Sequence, residues 1–298
     1  MQDTVPERAR VFDRRLLRAR RERAAAQLEA HDFLLNEIGD RLADRLADVT
    51  RKFPLALDLG CHGGVMARLL AGRGGIETLL QSDLSPRNAI GARRHGPSFV
   101  ADEELLPVRS QSLDAVLSNL SLHWVNDLPG TLAQIRDALK PDGLFIASMF
   151  GTGTLTELRT CLMEAELAET GGVSPRISPF AGLRDAASLL QRAGFALPVA
   201  DSDTLTVTYP DLFKLLADLR GMGETNLLLD RLKQPTRRTI FARAAALYHE
   251  RFADVDGRLR ATFQILFLTG WAPHESQQQP ARRGSGRTNL KDVFGKHS

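Results

Sequence analysis

The sequence predicts an α/β fold built around a mostly parallel sheet. Three observations predict it. Five short apolar runs alternate with helical patterns between residues 53 and 149, a glycine-rich turn follows the first run, and acids close the second and third. Strands and helices alternating at this spacing form right-handed βαβ units. The 298 residues, 43% hydrophobic and 25% charged, have the ordinary globular mix, which excludes wholesale disorder. A formal net charge of +3 is too mild to argue nucleic-acid binding. No run of about 18 apolar residues offers a membrane span. The two cysteines, Cys61 and Cys161, have neither framework nor CxxC spacing, so a reducing compartment is expected.

Residues 8–23 carry eight arginines (Arg8, Arg10, Arg14, Arg15, Arg18, Arg20, Arg21, Arg23) against Asp13 and Glu22. Such a basic start is also found in mitochondrial presequences. The helical pattern, however, continues through Ala24, Ala25 and Ala26 to Leu34, Leu35, Ile38, Leu42 and Leu46 at three- and four-residue steps. This favours one long mature helix with a solvated basic face, making residues 1–50 an N-terminal helical extension.

The core is expected over 51–208 and 259–272. Phe53–Leu59 reads as a buried strand and Val65–Leu70 as a helix. Thr78–Asp83 is a second strand, Arg87–Arg94 a second helix, and Ser98–Val100 a short third strand. Leu113–Ser118 is the fourth strand, Leu128–Leu139 a helix, Lys140–Gly143 a turn and Leu144–Met149 the fifth strand. Helices at Leu155–Glu169 and Ala186–Ala193 precede an alternating strand, Thr204–Thr208. A helix-rich insertion over 209–258, interrupted by Gly221-Met222-Gly223 and Pro235, leads to a last strand, Thr262–Leu268. Residues 273–298 read as a polar, irregular tail, basic through Arg282, Arg283, Arg287, Lys291 and Lys296.

The strongest local signal is Asp58-Leu59-Gly60-Cys61-His62-Gly63-Gly64, set between a strand and a helix. Glycines permit a tight turn and let backbone approach a ligand that a Cβ would obstruct. Asp83 lies 19 residues after Gly64, at a strand end where a carboxylate receives ribose hydroxyls in nucleotide-binding α/β folds. Asp102, after the third strand, is placed to face an adenine amino group. The competing reading is that each acid caps the turn or helix after it. Both acids beside one glycine turn favour a nucleoside ligand.

These pieces resemble the class I S-adenosylmethionine-dependent methyltransferases: Asp58-Leu59-Gly60-Cys61, Ser82-Asp83-Leu84-Ser85, Asp102 with Leu106-Pro107, Ser112-Leu113-Asp114, and Leu139-Lys140-Pro141-Asp142-Gly143. The resemblance implies a Rossmann-like, mostly parallel seven-stranded sheet with an N-terminal helix and a helical insertion before the last strand. It implies S-adenosyl-L-methionine as cofactor, with Asp58, Gly60, Cys61 and Gly64 around its methionine part, Asp83 and Leu84 at the ribose, and Asp102, Glu103 and Asn119 completing the pocket. His62 replaces the usual middle glycine; at positive φ it would carry a strain of about 1 kcal/mol or more.

A narrower resemblance runs through Val11-Phe12-Asp13-Arg14, His31-Asp32-Phe33-Leu34, Ala101-Asp102-Glu103-Glu104 and Leu120-Ser121-Leu122-His123-Trp124-Val125-Asn126-Asp127-Leu128-Pro129. It continues in Ile177-Ser178-Pro179-Phe180, Arg192-Ala193-Gly194-Phe195, Gly221-Met222-Gly223-Glu224, Gly270-Trp271 and His274-Glu275-Ser276-Gln277. This order is similar to the mitochondrial complex I assembly factor 5 family and its bacterial relatives, and more distantly to the malonyl-acyl-carrier-protein O-methyltransferase of biotin synthesis. The resemblance implies a protein arginine hydroxylase acting on the unassembled iron–sulfur subunit nearest quinone in respiratory complex I. It implies a bacterial cytoplasm or mitochondrial matrix, no nucleic-acid partner, and at most peripheral contact with the inner membrane. Methyl transfer to a small molecule, carrier thioester or protein is the alternative activity, and a non-catalytic assembly chaperone a third reading.

His123, Trp124 and Asn119 follow the fourth strand and are the catalytic candidates. His123 supplies a base, Asn119 a hydrogen bond, and Trp124 a π face for a sulfonium or guanidinium. Packing is the competing reading for His123 and Trp124. S-adenosylmethionine has no oxygen to give in a hydroxylation, so an oxygen-activating centre of unknown nature is required. None of His31, His62, His95, His123, His249, His274 and His297 opens a local His-x-Asp or His-x-Glu pair, and no metal is assigned. His274-Glu275-Ser276-Gln277 is placed to fold back across the cleft or to begin the tail.

Overall fold

A computed structural model of the chain describes residues 10–278. Arg8, Gln279, the basic residues Arg282–Lys296 and His297 lie outside the described residues. Seven strands form one sheet in the order β3-β2-β1-β4-β5-β7-β6. They are β1 (Phe53–Leu59), β2 (Ile76–Asp83), β3 (Ser98–Val100), β4 (Leu113–Asn119), β5 (Leu139–Phe150), β6 (Ala196–Tyr209) and β7 (Leu259–Trp271). The first five are parallel; β7 enters antiparallel between β5 and β6. This is the class I methyltransferase architecture the sequence predicts. The strand order reverses between β1 and β4, which opens a crevice at their carboxyl ends.

Local chemistry explains the helix starts around that crevice. Ser85 caps α4 (Pro86–Ala92) by accepting the Asn88 N–H, with Pro86 in the first turn. Asp127 caps α5 (Leu128–Ala138) by accepting from Gly130, again with proline in the first turn. The expected turn at Lys140–Gly143 is absorbed into the start of β5, as a register irregularity with Asp142 at φ 67°.

The expected single N-terminal helix is broken in two. α1 (Arg14–Ala24) and α2 (Phe33–Ala47) are separated by a short 3-10 turn at Leu28–Ala30. α2 buries Leu34, Leu35, Ile38, Leu42 and Leu46 beside α3 (Val65–Leu70) and the sheet, each leucine or isoleucine contributing about 1.5–3 kcal/mol. α1, poorer in apolar residues, instead crosses toward the strand tips. The break lets one segment pack as core while the other delivers arginines to buried acids. Helical periodicity does not register that division of labour.

One face of the sheet packs against α2, α3, α6 (Thr156–Thr170), α8 (Leu212–Gly221) and α9 (Arg238–Phe252). The other packs against α5 and α7 (Leu183–Arg192). α8 and α9 interrupt the β6–β7 connection; α9 packs with α6 against β7, and α8 lies against β6. No helix among the described residues is long and apolar enough to cross a membrane.

Candidate functional site

The glycine turn behaves as its composition requires. Gly60, His62, Gly63 and Gly64 all have positive φ, at 81°, 45°, 74° and 95°. At Gly60 a Cβ would sit 2.1 Å from Ser121 Oγ, so only glycine lets β1 approach the β4 loop. The strain at His62 is therefore real, and its side chain offsets it. Buried Nε2–H donates to the Asn119 carbonyl at 3.1 Å, tying the turn to the end of β4. Burial, reinforced by Arg21, lowers the His62 pKa and favours the neutral ring.

Asp83 lies at the tip of β2 and is 1% exposed. One oxygen accepts the Ser85 N–H at 2.8 Å, the other the His62 N–H at 3.1 Å. The capping reading and the convergence on the glycine turn thus both apply at this residue. Leu84 packs beside Trp124 and Phe12, and Cys61 is a buried thiol whose pKa burial and Asp83 push up. Asp58 is fully buried, and neither carboxylate oxygen has a hydrogen-bond partner. Burial, then repulsion from Asp83, pushes its pKa up to about 8.

Sequence reasoning missed what holds the remaining acids. Arg21 Nη1 donates to Glu103 at 2.5 Å and lies 4.0 Å from Asp83, while Nη2 donates to Ser121 Oγ at 2.8 Å. Arg14 pairs with both Asp102 and Glu103. Asp102, expected to face an adenine, is partly exposed, turned toward Arg14, and also accepts the Glu104 N–H. Burial alone would raise the Glu103 pKa, but Arg21 and Arg14 hold it far below the carboxylate range. The basic stripe of α1, read from sequence as a solvated face, therefore sends Arg14 and Arg21 inward. Glu22 secures the same helix by accepting from Ser85 Oγ at 2.6 Å and the Arg87 N–H at 3.1 Å.

The catalytic candidates separate into different tasks. Asn119 is held by the fold on both ends of its amide: Nδ2 donates to the Leu35 carbonyl at 2.9 Å and Oδ1 accepts from Ser148 Oγ at 2.9 Å. His123 and Trp124 are buried, with ring centroids 5.1 Å apart, and they meet an acid from the α8–α9 loop. Glu224 accepts from His123 Nε2 at 3.1 Å and from Trp124 Nε1 at 2.9 Å. His123 Nδ1 has no partner. Ring packing and hydrogen bonding to an acid therefore coexist in this pair. Burial works against ionising Glu224, but His123, Trp124 and Arg21 hold its pKa below the usual range. Gly221-Met222-Gly223-Glu224 stood out in the sequence, but its 100-residue separation from Trp124 hid the contact.

His274-Glu275-Ser276-Gln277 does not cross the cleft. Gln277 Nε2 donates to Asp142 Oδ1 at 2.8 Å, beside the beginning of β5 and the opposite edge of the sheet. The antiparallel course of β7, with Trp271 opposite Leu144, carries the chain there. His274 is thus not brought to His62 and His123. Among the described residues no group of three or more His, Cys, Asp or Glu side chains is arranged to hold a metal ion.

Comparison with known proteins places this geometry. Residues 57–147 match the model of a methyltransferase domain family. The chain is 45% identical over 295 residues to the human mitochondrial arginine hydroxylase NDUFAF5, covering 97% of this chain and 85% of that protein. A malonyl-[acyl-carrier protein] O-methyltransferase of Xylella fastidiosa (strain M23) is 33% identical over 270 residues, covering 88% of this chain and 89% of that protein. A crystal structure of a putative methyltransferase from Bacillus halodurans C-125 matches with a TM-score of 0.56 at 13% identity, covering 79% of this chain and 99% of that one. That structural likeness establishes the fold, while the identity to the human protein runs through the N-terminal helices and the helical insertion as well as the core. On this evidence of sequence and fold, the chain belongs to the arginine-hydroxylase NDUFAF5 family, with the malonyl-[acyl-carrier protein] O-methyltransferases as more distant kin.

Proposed function

We propose that this chain binds S-adenosyl-L-methionine and hydroxylates an arginine of the iron–sulfur subunit nearest quinone during assembly of respiratory complex I. The observation that carries this reading is the reach of the similarity. It covers 97% of the chain, far beyond the residues 57–147 common to a methyltransferase domain. The relatives are named as enzymes, arginine hydroxylases and O-methyltransferases, on a methyltransferase fold.

The residues fit the cofactor's chemistry. Asp58, buried with two unpartnered oxygens, suits the ammonium of the methionine portion. Asp83 and Glu103 have the acceptor chemistry for hydroxyl and amine donors of the nucleoside, and in this structure the Arg21 guanidinium lies between them. When bound, the cofactor supplies a sulfonium and its activated methyl carbon. The oxygen of a hydroxylation comes from another centre, to which we assign no residue. His123, with Nε2–H committed to Glu224 and Nδ1 bare, holds a tautomer suited to receive a proton. The two free buried cysteines accord with a reducing site of action, in bacterial cytoplasm or mitochondrial matrix.

Mass spectrometry of the partner subunit, isolated from cells with and without this protein, tests the reading. A gain of one oxygen on an arginine is expected. A methylene increment would replace the proposal with methyl transfer, and an unmodified, unassembled subunit would replace it with a chaperone role.

A further inference from the structure

Beyond His123 and Trp124, a cavity of about 180 Å³ is walled by Trp124, Phe150, Phe180, Phe241 and Phe263, with Glu224 at its margin. Sites for whole small molecules usually enclose roughly 300–1,000 Å³. This one suits a single inserted side chain. Phe180 stands 6.3 Å from Trp124 and 5.6 Å from Phe150, centroid to centroid, so aromatic faces bound the cavity on several sides.

The charges around the cavity are asymmetric. Glu224 is the single acid among its described lining residues and Arg176 the single base. Arg176 is already neutralised by buried Glu166 at 2.6 Å. Glu224 has spare acceptor capacity: Oε2 takes Trp124 at 2.9 Å and His123 at 3.1 Å, while Oε1 has only the longer, 3.2 Å leg from Trp124. An ionised carboxylate amid aromatic rings attracts a planar cation. Guanidinium satisfies both elements, pairing with the carboxylate edge-on and stacking on a ring face.

We propose that Glu224 and the surrounding aromatic rings form the seat for the substrate's guanidinium, selecting arginine and rejecting carboxylate substrates such as a malonyl group. The proposal rests on the hydroxylase reading for the identity of the substrate, but the site itself is a binding site that can be measured without turnover. A lysine ammonium would carry the charge without the planar, two-pronged match.

The test is titration of the full chain with N-acetyl-arginine amide, followed through the indole N–H resonance of Trp124. The chain has two tryptophans, and Trp271, on the other edge of the sheet, serves as internal reference. A saturable shift at Trp124 with the arginine amide, and none with the uncharged citrulline amide, is expected. Glu224→Gln should weaken binding about tenfold or more, and Phe180→Leu about threefold by removing one ring. Equal response to citrulline amide, or unchanged affinity in Glu224→Gln, overturns the proposal. If Glu224→Gln fails to fold, Phe180→Leu decides, and unchanged affinity there overturns the proposal as well. The two readings fail separately: arginine binding without hydroxylation of the subunit defeats the activity, and hydroxylation undiminished in Glu224→Gln defeats the seat.

Discussion

Arg21→Ala is expected to destabilise the fold by about 3–5 kcal/mol, the usual cost of stripping one partner from a buried ion pair. The guanidinium is 3% exposed and serves Glu103, Ser121 and the field of Asp83 together. Its removal leaves two buried carboxylates facing one another with only Arg14 in compensation. Chemical denaturation of the single variants Arg21→Ala and Glu103→Gln, and of the double variant, would measure this. The double variant should recover much of the loss, because removing both charges leaves nothing uncompensated. Additive losses would show that the pair is not coupled. The pH dependence has a definite sign. The pKa of Glu103 is depressed on folding, so the pair's stabilisation is complete above the unfolded carboxylate range and is lost as pH falls through it and below.

Asp58→Asn should act in the opposite direction on stability while removing function. In the folded protein burial and Asp83 push the Asp58 pKa up to about 8, whereas a free aspartate ionises near 3.8. The folded state therefore holds a proton that the unfolded state releases, and stability declines as pH rises between those two values. The slope from this group is about 1.4 kcal/mol per pH unit at most. Asparagine removes that slope, so the variant's stability relative to the parent should rise with pH through this window. Its affinity for S-adenosylmethionine should fall by about 2 kcal/mol, roughly 30-fold, with the lost ion pair to the ammonium. In the parent, binding at pH 7 should expel close to one proton from Asp58. Calorimetry in buffers of different ionisation enthalpy reads that release directly. Affinity unchanged in the variant, together with no proton release by the parent, would remove Asp58 from the cofactor site.

Much of the sheet was legible because its strands are short apolar runs closed by glycine, proline or acids, a pattern with few alternatives. Phe53–Leu59 and Ser98–Val100 coincide with the expected bounds. β6 and β7 extend well past them because each is held along its length by the other, from Ala196 opposite Trp271 to Tyr209 opposite Leu259. The polar Asp201-Ser202-Asp203 stretch gives no local strand signal; Asp201 and Asp203 are engaged by Arg45 and Arg41. The break after α1 was hidden for a related reason. Ala24, Ala25 and Ala26 are good helix formers, and what accompanies the break is distant in sequence: Arg21 of α1 pairs with Glu103 while α2 packs its leucines in the core. Likewise Asp58, Gly60 and Asp83 announced themselves by spacing, whereas Glu224 acquires its meaning only from a fold that brings the α8–α9 loop to Trp124.

α1 is also fastened to that loop. Asp13 N–H donates to the Leu227 carbonyl and Leu229 N–H to the Val11 carbonyl, each at 2.9 Å, and Arg20 reaches the Asn226 carbonyl at 2.6 Å. Lifting α1 to free Asp83 and Glu103 therefore pulls on residues only two to five positions beyond Glu224. If occupancy at one end of the crevice lifts α1, it changes the work needed to occupy the other. By thermodynamic reciprocity, whatever factor the nucleoside applies to guanidinium affinity, the guanidinium must return. Cutting the tether at Arg20 with alanine should shrink that factor toward one in paired titrations.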